Sequence, residues 1–418
     1  MPEAVTLAMG DLAETVREGL LALAVGAGLQ VMQVMQVMMA DSVTALCGPK
    51  GRHDADRSAL RHGSDDGSVT LGGRRVPVRR PRVRSADKAT EVGVPAYELF
   101  SSTELLGEMA LERMMAKLST RRYGAGLEPV GAAVEASARS TSKSAVSRRF
   151  VAATETALAD MLASDLSGLD LVALMIDGVH FADHLCVVAL GISIDGTKHP
   201  LGVVEGDTEN TTVVKDLLVG LRERGLDTTR PILCVLDGAK ALVAGVKAVF
   251  DHPVVHRCQH HKVRNVESKL PRALASTVGK RMRAAYHDPD ALAAEATLEA
   301  LATSLAKSHP GAAGSLREGL FETLTVTRLG VPPTLARTLR STNAIESMIE
   351  ICRDHSTNVK RWRDGQMALR WCAAGMGEAA KQFRRVNGFL HLPALRVALE
   401  AQVNGAVTPT CDDQEEAA

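Results

Sequence analysis

Net charge is the first thing this chain lacks: 49 basic residues are balanced by 49 acidic ones over 418 positions. A disulfide framework is missing too. The seven cysteines (Cys47, Cys186, Cys234, Cys258, Cys352, Cys372, Cys411) are odd in number and scattered, unlike those of a secreted scaffold. Cys186 and Cys234 lie in apolar runs and read as buried thiols. The N-terminus lacks the basic-then-apolar layout of a signal peptide. Its most apolar stretch, Leu20 to Met39, is interrupted by Gln30, Gln33 and Gln36, which excludes it as a membrane span. No Ser-His-Asp or reactive-cysteine arrangement is recognisable. These absences predict a soluble cytoplasmic protein whose chemistry needs no protein nucleophile.

The zero average hides an uneven distribution. Arg74, Arg75, Arg79, Arg80, Arg82 and Arg84 occur within eleven residues without an acid between them. From Arg257 to Arg283 there are eight basic residues against Glu267 alone, while the tail ends in Asp412, Asp413, Glu415 and Glu416. Local basic surfaces beside an acidic centre are compatible with DNA binding. Residues 1–46 read as helical, with a Val-Met-Gln repeat from Val31 to Met38 suited to packing or dimerisation. Residues 47–72 are rich in Gly, Asp and His and read as loop. In 73–84 valine alternates with arginine, and proline bars a central strand, so an extended edge or arm is expected. Helix is expected over 98–165. Within it, Ser140 to Phe150 is a candidate second helix of a helix-turn-helix, capped by Ser142 or Ser144, with Lys143, Arg148 and Arg149 toward phosphate.

The pattern then changes. Leu171–Asp177, Leu185–Ile194 and Pro200–Glu205 are β-like runs, with Asp195-Gly196 as a turn signal between the last two. A helix over 210–224, capped by Asn210 or Thr211, precedes the apolar run Ile232–Asp237, a helix over 239–250 and a short strand over 254–256. This β-β-β-α-β-α-β order is that of an RNase H-like domain. Residues 259–335 are almost entirely helix-like, and a further helix from Ser341 would bring Glu346 back to the sheet.

Asp177 and Asp237 each close an apolar run and precede glycine. Acids at strand ends face the crevice where α/β sheets bind ligands; a plain Asp-Gly turn is the alternative for either one. With Glu346 they form the carboxylate set that two-metal phosphoryl transfer requires. Hard oxygen donors favour magnesium or manganese, and water or a nucleic-acid 3′-OH would attack. Cys258 and His261 have half the spacing of a zinc site, with no second half downstream, so a structural or site-bracing role is expected. Lys262 and Arg264 are candidates for backbone contacts. Trp362 and Trp371 read as helix packing, with stacking on an unpaired base as the alternative. Glu205 is a weaker candidate for an extra acid, and Cys47, His53 and His62 form no clear metal motif.

Asp177-Gly178, Asp237-Gly238, Arg257-Cys258-x-x-His261-Lys262-x-Arg264-Asn265 and Ser341-Thr342-Asn343-x-Ile345-Glu346-Ser347 together resemble the Mutator-type transposases of bacterial insertion sequences. The resemblance continues through Val359–Gly365, which carries Lys360, Arg361 and Arg363, through Ala368–Trp371, and upstream through the arginine-rich 72–84. It covers residues 50–395, approximately. It implies an α/β fold: an RNase H-like mixed sheet core with a large all-α insertion, preceded by a mainly helical DNA-binding region. The expected segments are 1–97 (helical region and basic arm), 98–168 (candidate helix-turn-helix), 169–270 and 337–400 (core), 271–336 (insertion) and 401–418 (disordered acidic tail). The resemblance further implies cleavage and joining of DNA at terminal inverted repeats by a homodimer or larger oligomer. Asp177, Asp237 and Glu346 would then hold two Mg2+, with Mn2+ able to substitute. Cys258 and His261 would supply the Cys-x-x-His signature, and the named arginines and lysines would contact double-stranded DNA in the nucleoid. A nuclease without strand transfer and a DNA-binding repressor are the competing readings. The long insertion and basic N-terminal region speak against the first, and retention of all three acids speaks against the second.

Overall fold

A computed structural model of the chain describes residue 26 and residues 30–52, 57–206 and 210–406. The expectations for residues 1–25, for His53 and for the acidic tail from residue 407 lie outside the described residues. The chain divides into two compact units, Met1–Ala153 and Thr154–Ala418.

The described residues of the first unit carry a three-stranded sheet among their helices. Helix α1 (residues 30–47) buries Met39, Val43 and Cys47, one helical face at spacing of four. Val43 and Cys47 pack with Ala59, Val83 and Val94, whereas Val31, Val34 and Val37 of the Val-Met-Gln repeat stay exposed. Strands β1 (Ala59–Leu71) and β2 (Arg74–Ser85) form a long antiparallel hairpin, and β3 (Glu91–Val92) completes the sheet in the order β1-β2-β3. Gly72 and Gly73 both have positive φ, which a two-residue hairpin turn needs. Two expectations are corrected here. Residues 59–71 are strand, not loop, because β2 supplies cross-strand partners that composition cannot show: Asp65 lies opposite Arg80 and Asp66 opposite Arg79. And β2 is the middle strand. Its prolines are tolerated because β3 meets it only at Val83 and Arg84, so Pro77 and Pro81 face no second neighbour. Helices α2 (Pro95–Ser101), α3 (Glu104–Met115), α4 (Ala132–Ser137) and α5 (Lys143–Ala163) follow. At the start of α5 the Ser142 hydroxyl accepts from the Ala145 N–H, as expected of the capping serine.

The second unit is built on a mixed five-stranded sheet in the order β6-β5-β4-β7-β8. Its strands are β4 (Leu171–Phe181), β5 (His184–Ser193), β6 (Lys198–Gly206), β7 (Ile232–Leu236) and β8 (Pro253–Arg257). The β4-β5-β6 ladders are antiparallel, β7 joins β4 in parallel, and β8 joins β7 in parallel. The crossovers are α6 (Thr211–Glu223), capped by Asn210 through the Thr212 and Val213 amides, and α7 (Lys240–Val249). From β8 onward the chain is helical: α8 (Gln259–Glu267), α9 (Arg272–Ala285), α10 (Ala291–Ala306), α11 (Pro310–Arg317), α12 (Leu320–Thr323), α13 (Thr325–Arg328), α14 (Pro333–Leu339), α15 (Asn343–His355), α16 (Gly365–Gln382) and α17 (Leu392–Ala406). Most of α8–α11 gathers around a small core of its own, including Val278, Leu298 and Leu316.

Both sheet faces are covered, and strand alternation sorts the residues between them. Leu174, Ile176, Cys234 and Leu236 pack with Leu217, Leu218 and Val246 of α6 and α7. Ala173, Met175, Leu233 and Val235 pack on the other side with Ile345, Met348 and Cys372 of α15 and α16. Helices α15 and α16 approach closely at Gly375, where an added Cβ would lie 2.8 Å from the Cys352 Cα. Gly375→Ala should therefore cost about 1–3 kcal/mol through overpacking, read as a lower urea midpoint. An unchanged midpoint would mean the two helices separate freely.

Candidate active site

The parallel pairing of β4 with β7 ends at Met175 opposite Val235. Two residues further along each strand direction come Asp177 and Asp237, level with each other. They share the parity of Met175 and Val235, so both belong to the face on which α15 packs. Asp237 directly follows β7, as expected, and its Oδ1 accepts from the Ala239 N–H at 2.7 Å. Asp177 does not close its strand: β4 continues to Phe181, with Asp177 opposite Val188. The antiparallel partner β5 outlasts the parallel one, so what ends at Asp177 is the shared β4–β7 ladder rather than the strand.

Glu346 comes from the first turn of α15. Thr342, at the N-cap, donates from its hydroxyl to Glu346 Oε1 at 2.6 Å instead of capping the helix. The Thr342 hydroxyl oxygen also lies 3.3 Å from Cys258 Sγ and 3.3 Å from His261 Nδ1, and His261 Nδ1 lies 3.7 Å from Glu346 Oε1. Cys258, at the N-cap of α8, is buried. Sulfur, nitrogen and carboxylate donors of Cys258, His261 and Glu346 all fall within 4.8 Å of one another, a spacing that could hold a metal. Thr342 already bridges them, however, and a hydroxyl has one proton, which the short contact commits to Glu346. Thr342 is the residue that sequence reasoning left without a role. Its only signal was a hydroxyl one helical turn before the acid.

The charges respond to this convergence. Burial, with smaller contributions from Asp237 and Glu346 against the Gly178 N–H and His261, raises the Asp177 carboxyl to about 6. The hydrogen bond with Cys258 lifts His261 to about 9 against its own burial, with Glu346 and Asp237 adding to the rise. Burial pushes the Cys258 thiol up, but hydrogen bonding, chiefly with His261, outweighs it and leaves the thiol below its usual value. A cationic imidazole therefore stands among the three acids at neutral pH.

Several predicted DNA contacts are already engaged inside the fold. Arg74 is 5% exposed and pairs with Glu135. The Arg75 guanidinium donates to the Ser68 and Ser101 carbonyls. Arg149 donates to the Ser140 carbonyl, and Lys262 is buried with its ammonium on the Ser315 and Glu318 carbonyls. Arg74 and Lys262 are buried and Arg75 and Arg149 half-buried; periodicity cannot tell a solvated cation from one capped by carbonyls. Arg79, Arg80 and Arg82 pair with Asp66, Asp65 and Glu91 respectively. Arg84 is half-buried, whereas Lys143, Arg148, Arg264, Lys360, Arg361 and Arg363 are exposed. The last three lie in the loop before α16, which Trp362 pins by packing 4.8 Å from the Phe181 ring, and Trp371 stands edge-on to Trp362 at 6.2 Å. Both tryptophans thus pack, as expected. Glu205 binds His184 at 3.0 Å and does not join the acidic set. Among the described residues no helix is long and apolar enough to cross a membrane.

Residues 27–386 match the family described as Transposase, Mutator family. Similar curated proteins include the transposase for insertion sequence element ISRM5 of Rhizobium meliloti, 27% identical over 365 residues, 87% of this chain and 89% of that protein. The transposase for IS6120 of Mycolicibacterium smegmatis is 29% identical over 239 residues, 56% and 72% of the two chains. The transposase for IS256 in transposon Tn4001 of Staphylococcus aureus is 28% identical over 167 residues, 39% and 41%.

The raised Asp177 value has a consequence for stability. Its native state holds a proton that the unfolded chain has lost between about pH 4 and 6, so the contribution is greatest below pH 4 and is lost as pH rises through 6. In EDTA at pH 8, Asp177→Asn should be about 2–3 kcal/mol more stable than the parent, with the difference vanishing near pH 4. Equal melting at both pH values would show that Asp177 carries no such penalty.

Proposed function

We propose, for a chain that belongs to the Mutator family of transposases, that Asp177, Asp237 and Glu346 form the catalytic centre for DNA cleavage and strand transfer. DNA transposition is the activity class of that family. What supports the finer reading is that Asp177 and Asp237 stand two residues beyond the paired Met175 and Val235, with Asp237 and Glu346 both adding to the rise of the Asp177 carboxyl. An RNase H-like core is supported by three antiparallel strands followed by two parallel ones, with α15 returning the third acid.

Three carboxylates, all hard oxygen donors, suit Mg2+, with Mn2+ able to substitute, and two ions are expected. Bound there, the ions would stabilise the attacking and leaving oxygens of phosphoryl transfer. The acids must be ionised to hold them, so loading releases the proton that Asp177 retains near pH 6. Thr342 fixes the Glu346 rotamer, and the His261 imidazolium offsets the carboxylate charge from the side of α8. Water or a DNA 3′-OH serves as nucleophile. Exposed Lys143, Arg148, Arg264, Lys360, Arg361 and Arg363 supply backbone contacts to the terminal inverted repeats and target. Residues 1–168 act as the DNA-binding region, and a homodimer or larger oligomer brings two ends together.

Magnesium-dependent nicking and joining of DNA carrying the element's own ends tests this. Asp177→Ala, Asp237→Ala and Glu346→Gln should each lower the rate about 1,000-fold or more, several kcal/mol of transition-state stabilisation, while retaining end binding. Normal cleavage by any one of them would remove that residue from the centre. Thr342→Val should lower the rate and weaken the Mg2+ dependence, with Thr342→Ser restoring both; equal loss in Val and Ser would rule out a positioning hydroxyl.

A further inference from the structure

Beside the acidic centre, the described residues of the second unit enclose a hollow of about 220 Å3 whose lining carries no acid. Arg283 from α9 and His287 just beyond it form one wall, Arg337 and Arg340 at the end of α14 another, and His260 of α8 with Asn343 of α15 close it. Arg337 and Arg340 are three residues apart and lie on one side of the turn. Arg340 donates from Nε to the Ala336 carbonyl within its own helix. Among the described residues neither arginine has a carboxylate partner, unlike the arm arginines. Arg283 is shared with Glu267 at 3.2 Å, and that acid does not line the hollow.

Arg337 is exposed and Arg340 half-buried, so an anion in the hollow would meet two guanidinium groups that no acid of the described residues already engages. Burial and the neighbouring Arg337 both weaken the hold of Arg340 on its proton, as expected of an incomplete charge set. The hollow is also tied to the acids. His260 Nδ1 lies 3.3 Å from Asn343 Oδ1, and Asn343 opens the helix that carries Glu346 one turn later. The Gln259 N–H donates to the Arg340 carbonyl, which couples α14 to the start of α8, where Cys258 and His261 stand. A second hollow of about 310 Å3 shares Arg340 and His287 and is walled by Val326, Val331, Pro332 and Pro333, with Asp288 on its lining as well, a mainly apolar surface suited to a sugar next to a phosphate.

We propose that this arginine-lined hollow is a phosphodiester-binding subsite that seats one backbone phosphate of the DNA strand beside the acidic centre. The proposal rests on the transposase reading and adds to it a location on the helical segment between β8 and Glu346. Phosphate is favoured over a carboxylate ligand because guanidinium forks, an imidazole and an amide converge from four helices on one small volume, leaving donors on several sides of a tetrahedral anion.

The test is equilibrium binding of the full chain to a fluorescent duplex carrying the element's ends, in EDTA, over a series of KCl concentrations. The proteins compared are the parent, the Arg337→Gln/Arg340→Gln pair and the Arg337→Lys/Arg340→Lys pair. Taking away one cation that neutralises a phosphate lowers the log–log salt slope by about one unit. Because both arginines serve one phosphate, the Gln pair should bind with a slope lower by about one, and the Lys pair should recover it. Single neutral methylphosphonate linkages, scanned along the duplex, should reveal one position that weakens the parent but not the Gln pair. An unchanged slope in the Gln pair, or a methylphosphonate effect that persists in it at every position, overturns the subsite and leaves DNA binding intact. Absence of any binding by the parent overturns the subsite together with the reading it rests on.

Discussion

Side chains alternate between the faces of a strand, and in β4 and β7 that alternation commits Asp177 and Asp237 to the face on which α15 packs. The two strands are in parallel register, so acids two residues beyond Met175 and Val235 stand level with each other. A one-residue slip in either strand would turn its acid toward α6 and α7 and bury it among leucines. Everything else in the centre follows from this placement. Helix α15 must lie close enough to bring Glu346 to the same end, and Gly375 permits that by letting α16 press against Cys352.

Burying an acid has an electrostatic cost, visible in the elevated Asp177 value, to which the neighbouring Asp237 and Glu346 add smaller shares. The fold offsets part of it without filling the site. His261 contributes a positive charge raised by Cys258, and Thr342 contributes one directed proton to Glu346. Sulfur and imidazole thus act on the acid from α8, through a hydroxyl at the head of α15. A hydroxyl in this position couples two segments that are 81 residues apart in sequence. It explains why the Cys-x-x-His pair, with no second half of a zinc site, nevertheless stands next to the carboxylates.

The arginine-rich hairpin illustrates the opposite situation. Read linearly, residues 74–84 carry six positive charges and no acid. Folded, they lie beside Asp65, Asp66 and Glu91, and several of their charges are paired. The arginines at the end of α14 are sparse along the chain and form no basic run, yet they converge without a carboxylate partner among the described residues. Charge density along a chain and charge density in space are different quantities, and long-range pairing separates them.

The order of strands, the Asn210 cap, the Asp195-Gly196 turn and the helical run after β8 were all legible from local pattern, because each depends on residues within one turn or one strand. The candidacy of Asp177, Asp237 and Glu346 was legible in the same way, from acids beside apolar runs and from the motif around Glu346. Tertiary contact decided the rest. It set how far β4 continues past Asp177, since β5 supplies hydrogen bonds that the chain itself does not announce. It converted 59–71 from apparent loop to strand by placing arginines opposite aspartates. It buried Arg74 and Lys262, engaged Arg75 and Arg149 on carbonyls, and gave Thr342 its role. Local periodicity specifies which face a residue occupies, whereas the identity of what meets that face depends on segments tens of residues away.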